Sequence, residues 1–190
     1  LAGQDFEREQ PNLRGLPWWN ETAPLVYPHL DSAQSALLQS ELAYQNHIAA
    51  SAEYQALPRG PVHADLFRDN AIFEGEKLSG CFDFYFAGVD TWLFDLCVCL
   101  NDWAITHADG LHEPQRAQAL LDAYQAVRPL TAAERQLLPA MARAAALRYW
   151  ISRLWDFYLP RQASMLTPHD PTHMERVLRG RFQQPLVLAA

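Results

Sequence analysis

Apolar residues recur at helical spacing over much of this chain, and the places where the period fails mark its boundaries. From Ala33 to Gln55 they fall at Ala36, Leu37, Leu42, Ala43, Ile48, Ala49 and Tyr54 with no Gly or Pro between, which predicts a long helix. Asp31 and Ser32 stand at its capped start, and Pro58-Arg59-Gly60-Pro61 stops it. A second helix is predicted from Trp92 to about His107, with Leu93, Phe94, Leu96, Cys97, Leu100, Trp103 and Ala104 forming a broad apolar face. Glu113-Pro114 opens a third, to Val127, with Pro at its first position. Thr131-Ala132-Ala133-Glu134 has capping-box form. The helical pattern it starts is disturbed at Pro139 and then runs through Met141, Leu147, Trp150, Ile151 and Leu154 to Phe157. Asp170-Pro171 starts a last helix to about Phe182, and the tail from Pro185 to Ala190 is expected to fray. Residues 1–30 carry Pro11, Pro17, Pro24 and Pro28. They are expected to be irregular, with Trp18 and Trp19 laid over the core.

Between Pro61 and Trp92 the pattern changes. Ala71-Ile72-Phe73 and Leu78 to Phe82 are short apolar runs around Glu74-Gly75-Glu76-Lys77, a hairpin signal. About six helices and one hairpin predict a mainly helical α+β fold, in one domain spanning 1–190.

Composition narrows the class. The chain has 190 residues, 49% of them hydrophobic, enough for one real core. Its net charge is −7, which gives no reason to expect nucleic acid or an anionic membrane as a partner. No apolar run reaches transmembrane length. Three cysteines, Cys81, Cys97 and Cys99, sit in apolar surroundings without metal-ligand spacing. They read as reduced thiols of a cytoplasmic protein.

The chemistry lies in the hairpin region. A hairpin returns its two ends to one place, so Asn70 before the first strand and Asp83 after the second become neighbours. An amide oxygen beside a carboxylate suits Mg²⁺. Asp65, on the preceding loop, faces what the metal holds. His63 is expected to make an internal hydrogen bond. Arg68 stands between these groups, to reach a phosphate or pair with Asp69. Asp95 interrupts an apolar face and needs a partner if buried. Asp102 and Trp103 are candidates for a substrate pocket. Arg148 and Arg153 punctuate an otherwise apolar helix, where each is expected to meet either a substrate carboxylate or an acid such as Asp156 or Glu134.

His63-Ala64-Asp65-Leu66-Phe67-Arg68-Asp69-Asn70, followed by Asp83-Phe84, fits the kinase order of catalytic Asp, metal-binding Asn and metal-binding Asp. Ala64 replaces the Arg of protein kinases, Tyr85 replaces the Gly after Asp-Phe, and only Phe86 to Thr91 separates that motif from the next helix. There is no platform for a peptide, which favours a small hydroxyl-bearing substrate. The segment resembles the aminoglycoside and choline phosphotransferase superfamily, which shares the protein-kinase-like fold. With Asp83 to Gly88, Phe94-Asp95-Leu96 and Asn101-Asp102-Trp103, it looks like the bacterial homoserine kinases of that superfamily. The resemblance extends from about Leu1 to Gln184. It implies a C-terminal catalytic lobe, ATP and Mg²⁺, homoserine as substrate in threonine biosynthesis, catalytic Asp65 and Arg68, metal-binding Asn70 and Asp83, and a supporting role for His63 and Asp95. Another alcohol, such as an aminoglycoside or choline, and a non-catalytic binding module are the alternatives. The only lysine is Lys77, and only Gly3 and Gly15 precede Gly60. The Gly-rich loop and strand Lys of a nucleotide lobe are therefore missing. The expectation is an N-terminal lobe apparently absent, ATP left with half a site, and self-association through the uncovered surface.

Overall fold

The structure, a computed structural model, describes residues 10–159 and 168–188. It begins with a helix where the prolines predicted irregular chain. α1 (Leu16–Val26) carries Pro17 in its first turn and Pro24 near its end. A first-turn proline gives up an N–H that has no helical partner. At Pro24 one bond is forfeited, offset by the burial of Trp19, Thr22, Ala23 and Val26. Residues 1–9 of the segment expected to be irregular lie outside the described residues.

α2 (Ser32–Ala49) starts as predicted: Gln34 N donates to Asp31 Oδ1 at 2.8 Å, and Gln34 Oε1 accepts from Asp31 N. The long helix does not reach Gln55 unbroken. The Ser51 hydroxyl accepts from Tyr54 N and caps a short new helix, α3 (Ala52–Gln55). Two small antiparallel sheets follow. β1 (Arg59–Val62) is separated from its partner by the predicted hairpin, β2 (Ala71–Glu74) and β3 (Lys77–Cys81). β4 (Gly88–Thr91) then returns to β1, with Arg59 opposite Thr91 and Val62 opposite Gly88. This ladder has no signature in the apolar pattern. Gly60 is needed there, because a Cβ would stand 2.5 Å from the Trp92 indole nitrogen.

The rest is helical: α4 (Trp92–Trp103), α5 (Pro114–Val127), α6 (Ala132–Tyr158) and α7 (Thr172–Gln183). α6 passes Pro139 unbroken, so the two stretches that were to meet there form one helix of 27 residues. Its flanks explain why: Leu137, Leu138, Ala140 and Met141 are all buried, and core packing outweighs one lost backbone bond. α6 is the axis of the core, with α4, α7, α1 and α2 packed around it. Polar side chains fix that packing. Gln45 on α2 donates to the Ala140 carbonyl at 3.1 Å, and Asn101 on α4 donates to that of Ala142 at 2.8 Å. Glu41, fully buried, is paired with Arg143. Leu186 and Leu188 pack against the core instead of fraying, and residues 189–190 lie outside the described residues. Ile72, Phe73, Leu78 and Phe82 leave the hairpin with exposed apolar side chains. No helix among the described residues is long and apolar enough to cross a membrane.

One buried polar contact carries a pH dependence. Arg181 reaches His112 and the Gly110 carbonyl beneath α7. Burial, and then the Arg181 charge, lower the His112 pKa from 6.5 to about 3. Below its ordinary pKa the unfolded chain takes up a proton that the folded chain refuses. This contribution is whole above that value and is lost as pH falls toward the folded pKa, at up to about 1.4 kcal/mol per pH unit. Urea unfolding at about pH 7 and about pH 4.5 should show a smaller loss of stability in His112→Asn than in the wild type. Equal losses in the two proteins reject this role.

Candidate active site

The loop leaving β1 is held from below by α4. Asp95 accepts from the backbone N–H of His63 at 3.1 Å and of Ala64 at 2.7 Å. These bonds lock Ala64 at φ 60°, a left-handed conformation that costs a residue with a Cβ about 1–2 kcal/mol. The Asp95 carboxyl is raised by burial, and its backbone bonds oppose the rise. His63 Nε2 donates to the Phe82 carbonyl at 2.9 Å, tying the loop to the far end of the hairpin. His63 thus makes an internal hydrogen bond, and the Asp95 carboxylate is hydrogen-bonded where it is buried.

A cavity of about 280 Å³ opens where the loop, the hairpin ends and α6 meet, and its lining includes Asp65, Asn70, Asp83, Arg148, Tyr149 and Arg153. The hairpin argument thus brings Asn70 and Asp83 together as expected, with Asp65 beside them. Asn70 Nδ2 donates to the Asp65 carbonyl at 2.8 Å, which leaves its amide oxygen as the free acceptor. Asp83 is left-handed at φ 61° and its side chain makes no capping bond. Among the described residues no group of three or more His, Cys, Asp or Glu gathers to hold a metal. The donor set here is one amide and one carboxylate. That suits Mg²⁺, which keeps several waters and takes phosphate oxygens beside one or two protein ligands.

Tyr149 was not anticipated. Its hydroxyl lies 2.7 Å from both the Ala64 carbonyl and Asp65 Oδ1. Burial raises the Asp65 carboxyl, while Arg148 and the Tyr149 bond lower it. The apolar spacing of α6 places Tyr149 in the core, and nothing in the sequence indicates where its hydroxyl points.

Arg68, Asp102 and Trp103 depart from their expected places. Arg68 N and Nε donate to Asp102 Oδ2 at 2.8 and 3.1 Å, and the guanidinium also meets His107. Arg68 is thus turned to α4 and pairs with Asp102, not Asp69. Asp102 in turn is spent on the loop. Trp103 Nε1 donates to the Leu66 carbonyl at 2.9 Å. All three brace the loop from outside the Asp65 cavity. A larger apolar cavity, of about 460 Å³, lies beside Leu66, Trp92 and Trp103 and contains neither Asp65 nor Asp83. Burial pushes the thiols of Cys97 and Cys99 up, away from thiolate chemistry.

A mostly helical lobe, a short antiparallel hairpin, and an Asp, Asn and Asp gathered at the hairpin's ends make up a protein-kinase-like C-terminal lobe. Residues 2–130 match the phosphotransferase enzyme family, and the chain belongs to that family. A protein named homoserine kinase from Polaromonas naphthalenivorans (strain CJ2) is 63% identical over 188 residues, covering 99% of this chain and 60% of that protein. Proteins of the same name from Cupriavidus necator and Ralstonia pickettii are 60% and 59% identical, covering 96% and 95% of this chain and 56% of each relative. The chain thus spans less than two thirds of the length of these curated relatives.

Proposed function

We propose that this chain carries the catalytic lobe of an ATP-dependent kinase that phosphorylates the hydroxyl of homoserine. The product, O-phosphohomoserine, belongs to threonine biosynthesis. One observation carries the reading: Asp65, Asn70 and Asp83 line a single cavity. The names and identities of the relatives support the substrate.

Phosphoryl transfer depends on alignment and charge more than on covalent help. Asp65 accepts a hydrogen bond from the acceptor hydroxyl and turns its oxygen toward the phosphoryl group. Tyr149, bonded to one carboxylate oxygen, fixes the rotamer and leaves the other oxygen for the substrate. The Asn70 amide oxygen and the Asp83 carboxylate would hold Mg²⁺, which when bound supplies positive charge against the phosphates. Asp95, through the His63 and Ala64 amides, sets the height of the loop. Arg68, engaged with Asp102, is a brace for that loop in this reading and not a phosphate ligand.

The cavity argues against the cationic alternatives. Choline calls for an aromatic cage free of positive charge, and aminoglycosides carry several ammonium groups. Here a buried guanidinium, Arg148, forms part of the wall. The test is ADP release by a full-length phosphotransferase bearing this segment, offered homoserine, choline and an aminoglycoside in turn. Turnover with homoserine alone is expected. Turnover with choline or the aminoglycoside and none with homoserine removes the assignment.

A further inference from the structure

Arg148 is one of the most deeply buried charged residues described here, at 2% exposure, yet its Nε and Nη2 have no hydrogen-bond partner among the described residues. Its nearest acid is Asp65, whose Oδ1 is 4.0 Å from Nη1. That distance is too long for a hydrogen bond. Nε and Nη2 form one edge of the guanidinium, and their N–H groups point the same way. Together they make the fork that receives the two oxygens of a single oxyanion. Two aromatic rings lie against the guanidinium, its carbon 3.9 Å from the Tyr149 centroid and 4.7 Å from that of Phe86. Arg148 lines the cavity that contains Asp65. A buried guanidinium edge left without hydrogen bonds is unfavourable, so an anionic group that reached it would complete it.

Resting on the kinase reading above, we propose that the Nε–Nη2 edge of Arg148 is the receptor for the carboxylate of the acceptor substrate. Two oxyanions enter such a site, the substrate carboxylate and the transferred phosphoryl group. Asn70 and Asp83 already offer the cavity's metal-ligating edge to the phosphates. Arg148 stands on α6 next to Tyr149, with Nη1 4.0 Å from Asp65 Oδ1, within reach of the carboxylate of a short amino acid whose hydroxyl is on Asp65. Arg153 lines the same cavity and is only partly buried. It has no comparable buried and unpaired edge, so Arg148 is the specificity residue of the two.

The test uses the full-length enzyme and two alcohols: L-homoserine, and 3-aminopropan-1-ol, which keeps the hydroxyl and ammonium but lacks the carboxylate. Affinity is read by calorimetry without nucleotide, and kcat/KM by ADP release. Arg148→Met should weaken homoserine binding about a hundredfold and lower kcat/KM for homoserine by a clearly larger factor than kcat/KM for 3-aminopropan-1-ol, which loses only the part owed to the Arg148 charge beside Asp65. Arg148→Lys keeps the charge but not the fork. It should fold as the wild type does and still bind homoserine at least about tenfold more weakly. Unchanged homoserine affinity in both variants overturns the receptor, as does an equal loss for the two alcohols, which marks a merely structural role. Loss confined to Mg-nucleotide affinity overturns it in favour of a phosphoryl contact. A wild-type enzyme that turns over neither alcohol overturns the kinase reading beneath it.

Discussion

Asp65→Asn, in a full-length phosphotransferase bearing this segment, should lower turnover by about 10²–10⁴-fold and leave Mg-nucleotide affinity nearly intact. The substitution keeps the shape of the side chain and an oxygen for the Tyr149 hydroxyl, 2.7 Å away in the wild type. It removes the negative charge and the second strong acceptor, which together orient the attacking hydroxyl. Asp83→Asn should divide the effects the other way. Asp83 follows the second strand at the root of the hairpin and its side chain makes no capping bond, so losing its charge weakens binding of the Mg-nucleotide first. Single-turnover rates and nucleotide titrations on the two variants separate these outcomes. Near-normal turnover in Asp65→Asn would mean that the roles are wrongly assigned.

The second large effect belongs to a residue that touches no reactant in this reading. Asp95→Ala removes the acceptor of two backbone N–H groups, at His63 and Ala64. Both residues are buried, at 8% and 0% exposure, so neither donor can turn to water. Each unsatisfied donor costs about 1–3 kcal/mol, and the left-handed Ala64 then has nothing to hold it. A loss of roughly 2–4 kcal/mol in urea unfolding is expected, with turnover falling as well because Asp65 is carried on the same loop. Asp95→Asn keeps one acceptor oxygen and should fall between. Wild-type stability and turnover in Asp95→Ala would show that the loop is set by other contacts.

The meeting of the hairpin's two ends is legible in the sequence, for a local reason. Asn70 and Asp83 are separated only by a hairpin, and a hairpin is written in a few consecutive residues, so their meeting follows from the pattern. Asp95 betrayed itself as a carboxylate in an apolar face. The Arg68–Asp102 pair escaped because its partners are 34 positions apart and each had a plausible nearer role. Tyr149 escaped for the same reason: its ring obeys the apolar spacing of α6, while its hydroxyl answers to a loop 84 residues away. Prolines are weaker helix boundaries here than the sequence pattern implies. Pro17, Pro24 and Pro139 all lie inside helices, where first-turn placement or buried flanks outweigh the missing bond. The β1–β4 ladder was invisible because Arg59-Gly60-Pro61-Val62 carries little strand propensity. The partner strand and the packing of Gly60 on Trp92 create it.

That ladder has a consequence for how this stretch can change over time. Val62 sits opposite Gly88, so the chain that leaves the helical body at one comes back at the other, and everything between forms a closed excursion with a common root. Asp65, Asn70 and Asp83 all stand near the root, whereas the tip of the hairpin is open: a Cβ at Gly75 would meet nothing within 4 Å, although its φ of 61° itself favours glycine. Closing a slightly longer loop adds little entropic cost. The tip can therefore gain or lose residues, or carry an inserted tag, with little change at the root. Length drift belongs at the turn, and the ladder is the seam that keeps it from reaching the chemistry.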